Sequence, residues 1–124
     1  IRLCDEATLS STASLMVGEG IETTLSARDH FNEPQIWALI DSGNLAAMPL
    51  PPWLEVLTVL VDYDRENERT GLRAGPEAAA ALALRCEEVD QPIGIGLMVP
   101  PREGDAWNDV FCSAALARVV GHAA

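Results

Sequence analysis

Apolar residues in this chain fall into short blocks separated by longer mixed stretches. Ser14-Leu-Met-Val17 is apolar up to Gly18-Glu-Gly20 and reads as a buried strand leaving through a glycine turn. The mixed run Glu22 to His30 suits a helix, which Pro34 prevents from continuing. Ile36 to Ile40 is a second strand, closed by Asp41-Ser-Gly-Asn44, and Leu45 to Met48 is expected to make one helical turn before a proline loop. Val56 to Val61 is apolar on both faces and β-branched, the signature of a central parallel strand. After Asp62-Tyr-Asp64 the polar stretch Arg65 to Arg73 reads as a loop or a ragged helix start. Gly75-Pro76 then opens an alanine-rich helix, with Pro at its first position, that runs to about Glu88. Ile93 to Val99 is a fourth strand, and Ala106 to Val120 a final helix.

Strands alternating with helices imply right-handed crossovers: an α/β domain with a compact, Rossmann-like parallel sheet of about four strands and helices on both faces. At 124 residues it is expected to be one domain, 1–124, and its opening on Ile1 reads as a piece excised from a longer protein.

Charge narrows the function. Nineteen acidic residues face eight basic ones, for a net charge of -11. Every basic residue is arginine. Without lysine there is no Walker A loop, no kinase strand lysine and no Schiff-base lysine. A general basic field for nucleic acid is also missing, so any such contact must run through a local arginine cluster, a metal ion or another domain. Three widely spaced cysteines (Cys4, Cys86, Cys112) point to a reducing cytoplasm rather than a disulfide framework, and two histidines without a CxxC argue against zinc. No apolar run reaches the ~20 residues of a membrane span.

The acids carry the chemistry. In open α/β sheets, ligands sit outside the carboxyl ends of the strands. Glu19 follows the first strand, Asp62 and Asp64 the third, and Asp105, with Asp109 four residues on, the fourth. Residues i and i+2 of an extended segment point the same way, so Asp62 and Asp64 can present two carboxylates together. The natural neutraliser is a hard divalent cation, Mg2+ or Mn2+, whose common use is phosphoryl transfer. Each acid alone has a plainer reading: a turn-initiating pair at Asp62 and Asp64, a helix-start acid at Glu19, an N-cap at Asp105. Arg65, Arg69 and Arg73 recur every four residues and either line a helix face reaching toward phosphates or pair with Glu66 and Glu68 as a solvated face. Trp37, Trp53 and Trp107 read as packing residues.

Gly18-Glu-Gly-Ile-Glu-Thr-Thr-Leu-Ser26, Ser42-Gly-Asn-Leu45, Val61-Asp-Tyr-Asp64 and Asp105-Ala-Trp-Asn-Asp109 together resemble a Toprim domain. The likeness is to the type found in primase-helicase-like proteins of phages, plasmids and integrated elements, and it spans Leu15 to Asp109. Toprim is the catalytic module of bacterial-type primases, topoisomerases and some nucleases. The resemblance implies Glu19 as the catalytic acid/base or a metal ligand, Asp62 and Asp64 as the metal pair, and Asp105 as a supporting metal-site acid. It implies Mg2+- or Mn2+-dependent nucleotidyl transfer in DNA replication, with nucleic acid and nucleotides as partners. It also implies neighbouring domains such as a zinc-binding or helicase domain; no membrane partner is expected, given the absence of a long apolar run. Arg65, Arg69 and Arg73 are the expected nucleic-acid contacts. Nuclease chemistry, or a non-catalytic docking role, are the alternatives. The family places a glycine about three residues after the second aspartate. Here the first candidate is Gly71, so Arg65 to Arg73 looks like an insertion beside the site.

Other acid-based readings fail on single residues. A receiver domain needs a lysine, as does a haloacid-dehalogenase-type phosphatase, which also wants Thr or Val where Glu66 stands. A glycosyltransferase needs a larger sugar-binding region, and a serine hydrolase needs Gly-x-Ser-x-Gly. A topoisomerase needs a free tyrosine, whereas Tyr63 is locked between the aspartates.

Overall fold

The computed structural model describes residues 1–2, 13–32 and 35–113. They form β1 (Ser14–Gly18), α1 (Ile21–Phe31), β2 (Ile36–Ala38), α2 (Ser42–Ala46), β3 (Val56–Leu60), α3 (Ala74–Glu88) and β4 (Gly94–Met98). A last helical stretch covers 107–113. The rest of the expected helix to Val120, like Cys4 and Pro34, lies outside the described residues.

All four strands are parallel, in the order β2-β1-β3-β4. The chain leaves β1 toward one side of the sheet and returns to lay β3 on the other. That makes the gap between the ends of β1 and β3 the switch point where open α/β sheets bind ligands. Gly18 pairs with Leu60 in the register, so Glu19 and the Val61-Asp62 segment leave the sheet side by side.

Side chains alternate across the sheet, as a pleat requires. Leu15, Val17, Trp37, Leu57 and Val59 pack with Leu45 of α2 and with Ala78, Ala79, Leu82 and Cys86 of α3. Met16, Ile36 and Leu60 face the other way, against Ala27 of α1 and Phe111 of the last helix. Helices therefore cover both faces. On the second face α1 lies close: a Cβ built on Gly18 would sit 2.9 Å from Thr24 Cγ2, so glycine is what lets the helix approach.

Several boundaries differ from those read in the sequence. β2 stops at Ala38 because Ile40 turns into the left-handed region with φ 79°. Helix α2 starts at Ser42, before the expected Leu45, because the Asp41 carboxylate caps it at the Asn44 N–H, 2.7 Å away. Helix α3 starts at Ala74, which makes Pro76 its third residue rather than its first; a missing N–H costs nothing anywhere in the first turn. Residues 65–73 are an irregular loop, not a helix. The Asn67 side chain accepts the N–H groups of Arg69 and Thr70 there, and Gly71 takes φ 67°. Trp37 is buried, Trp53 and Trp107 pack against the two cores, and Trp107 Nε1 donates to the Met98 carbonyl at 2.7 Å.

Candidate functional site

The turn Glu19-Gly20 between β1 and α1 is the shortest strand-to-helix link at the carboxyl edge. It holds Glu19 half-buried, and its Oε1 atom is shut off from solvent with no hydrogen-bond donor among the described residues. A buried carboxylate without a donor favours its neutral form. Burial, reinforced by the negative charges of Asp62, Asp64 and Asp41, raises the Glu19 pKa to about 7. The Asp62 carboxyl is also pushed up, first by burial and then by Asp64 and Asp109, against a lowering hydrogen bond from the Trp107 N–H. The acids from β1 and β3 thus share one field.

Two helix starts converge on them. Asp64 Oδ2 accepts the Gly75 N–H at 2.7 Å, in the first turn of α3. Asp62 Oδ1 accepts the Trp107 N–H at 3.4 Å, at the first turn of the last helix. Both contacts put a carboxylate at the positive end of a helix dipole. The Asp109 carboxylate accepts the Ala106 N–H at 3.1 Å, satisfying a free donor at the start of the last helix. Gly75 is the tightest contact of all. A Cβ built on it would lie 2.6 Å from the Asp62 carbonyl, 2.9 Å from Asp64 Oδ2 and 3.5 Å from Glu19 Oε1.

The glycine packed against the acids is Gly75, at the start of α3, while Gly71 sits in the 65–73 loop near Glu66. The sequence does not mark Asp41 or Gly75 as site residues, and it places Asp109 at the carboxyl edge, within the motif that also holds Trp107, without giving either a role. No local pattern marks Asp41 or Gly75, because they meet the acids from the starts of α2 and α3.

Asp105 enters through its main chain: its carbonyl accepts the Tyr63 N–H at 3.1 Å, tying the loop after β4 to the Asp62-Tyr-Asp64 segment. The three arginines do not share a helix face, since their segment is a loop. Arg73 pairs with Glu103 at 3.3 Å, lies over the Tyr63 ring, and donates to the Asp64 carbonyl at 3.5 Å. Arg65 packs on Gly104, and Arg69 lies in the exposed turn 68–70. Arg65 and Arg73 therefore flank the acids against the 103–104 loop, with Arg69 out at the tip.

As placed, no group of three or more Asp, Glu, His or Cys side chains among the described residues could hold a metal ion. The donors still suit a hard cation in kind: three carboxylates gathered at one edge, one with a buried oxygen that nothing satisfies. Asp62 and Asp64 each commit one carboxylate oxygen to a helix N–H and keep a second oxygen.

A family model for the Toprim domain matches residues 14–116. The chain belongs to the Toprim family. Toprim domains are generally metal-binding domains of nucleotidyl-transfer or nuclease type that act on nucleic acid. No curated protein and no solved structure matches the chain. Among the described residues no helix of this Toprim domain is long and apolar enough to cross a membrane.

Proposed function

We propose that this Toprim domain carries out Mg2+- or Mn2+-dependent nucleotidyl transfer on DNA as the catalytic domain of a primase-like replication protein. The observation that carries the reading is Glu19, a half-buried, donor-less carboxyl at the switch point, with a pKa near 7 beside Asp62 and Asp64. At neutral pH both its forms are populated, so it can take a proton from an attacking hydroxyl or return one to a leaving oxygen. Asp62 and Asp64 would hold the cation, with Asp105 positioning the segment that carries them. A bound cation would neutralise the acids and polarise a phosphoryl oxygen. Arg65, Arg69 and Arg73 are the phosphate contacts of this reading, Arg73 after release from Glu103. With a net charge of -11 the domain grips nucleic acid weakly by itself. Phosphodiester cleavage would use the same groups.

A second reading has its own support. Because no chelating cluster stands ready among the described residues, the acids could be idle and the domain a docking module of a replication protein. The purified domain is assayed with Mn2+ for nucleotide incorporation and for strand cleavage, and its melting temperature is followed as Mn2+ is added. Catalysis predicts an activity that Glu19→Gln lowers by about 100-fold or more, and a melting temperature that rises with Mn2+. An inactive parent whose melting ignores Mn2+ leaves the docking reading.

A further inference from the structure

Between the start of α1 and the last helix lies an open cleft of about 390 Å3, within the range of small-ligand sites. Glu19, Ile21, Glu22, Ile40, Asn108 and Asp109 are among the residues that line it. Two of these are isoleucines turned to solvent, Ile21 at 39% and Ile40 at 51% exposure. Ile40 is held there at a cost. Its φ of 79° lies in the left-handed region that a β-branched residue avoids, and its N–H donates to the Glu19 carbonyl at 2.7 Å. Strain of this kind persists where the surroundings enforce it and concentrates at ligand sites. Asn108 is oriented by the Ser26 hydroxyl, which donates to its Oδ1 at 3.1 Å, and its Nδ2 makes no hydrogen bond among the described residues.

The chemistry of the walls selects the occupant. Glu22 and Asp109, the acids of the cleft wall besides Glu19, repel a phosphate, while the two isoleucines offer apolar surface to a flat, uncharged group. The Asn108 amide offers a donor to a ring or sugar acceptor. We infer that the cleft seats the nucleoside part, base and sugar, of the nucleotide whose phosphate reacts beside Glu19. This rests on the proposed nucleotidyl chemistry and adds to it which side of the acids the uncharged half of the substrate occupies.

Uncharged probes separate the two claims. Deoxyadenosine and thymidine are titrated into the full chain without metal, and the methyl resonances of Ile21 and Ile40 are followed. Both should move at millimolar nucleoside. Ile40→Gly accepts the same backbone angle and should melt no lower than the parent, yet bind nucleoside about tenfold more weakly. Inorganic phosphate binding in the presence of Mn2+ should not change in that variant. Unmoved methyls, or an Ile40→Gly variant that binds nucleoside like the parent, overturn the inference. If Mn2+ still raises the melting temperature in that case, only the cleft assignment falls and the metal reading stands. Methyls that move in a protein indifferent to Mn2+ support the cleft and count against catalysis instead.

Discussion

Glu19 and Asp41 occupy equivalent places: each follows a parallel strand, each precedes a helix by one or two residues, and both lie at the carboxyl edge. Their surroundings send them opposite ways. The Asp41 carboxylate is exposed and receives the Asn44 N–H and side-chain amide, so it closes α2 as a cap. Glu19 is half-buried and its Oε1 receives nothing, while α1 has Gly20 at its cap position and no side-chain cap at all. Helix α1 forgoes a stabilising hydrogen bond that its neighbouring acid could have made from a different backbone position. Location at the sheet edge is common to both residues. What singles out Glu19 is a half-buried carboxyl held beside other acids with no partner for its Oε1, a cost that a structural role would not sustain.

The largest effect expected in breaking this contrast comes from the residue that crowds the acids together. Gly75→Ala places a methyl 2.6 Å from the Asp62 carbonyl, a backbone atom that cannot rotate away. The variant should lose about 1–3 kcal/mol by denaturant unfolding, despite alanine's better helix propensity. A variant as stable as the parent would mean that the Asp62 segment moves freely and the acids are not held in place.

A smaller effect should follow pH. Glu19 has its pKa raised from 4.5 to about 7, so between those values the folded state binds the proton that the unfolded state has released. Stability should therefore be highest below about pH 4.5 as far as this group is concerned, fall as pH rises to about 7, and then level off. Allowing for solvent screening, the loss is about 2 kcal/mol. Glu19→Gln should remove most of that slope, leaving what Asp62 contributes, and melt higher than the parent at pH 8. Asp41→Asn removes only the least of the causes acting on Glu19 and should keep most of the slope. A parent whose melting temperature is flat from pH 5 to 8 would remove the distinction between the two acids.

The smallest effect tests the other side. Asp41→Ala should cost about 1 kcal/mol through the lost cap, and Asp41→Asn, which still caps, only tenths of that. If Asp41→Ala leaves stability untouched but removes Mn2+ binding, Asp41 belongs to the site and is no mere cap.

Much of the architecture is legible along the chain, because strand and turn signals are local. The apolar run 56–61 marks a central strand, the glycines around Glu19 mark its turn, and the i, i+2 spacing pairs Asp62 with Asp64. Those signals suffice to bring three acids to one edge of a parallel sheet. The arginine spacing misleads for the same reason: a four-residue period has meaning only in a helix, and the segment is a loop whose turn is closed by Asn67. The strained end of β2 at Ile40 is equally invisible along the chain, since its hydrogen bond runs to Glu19 in another strand's turn.

By itself, then, the sequence determined the fold class, the order of elements and which acids reach the carboxyl edge, all set by periodicity and neighbouring residues. Tertiary structure alone decided which acid is left without a donor, that Gly75 and not Gly71 lies against the acids, and that Asp41 joins the field at Glu19. Those outcomes depend on burial and on contacts between residues far apart in the chain, and neither is fixed until the helices have packed on the sheet.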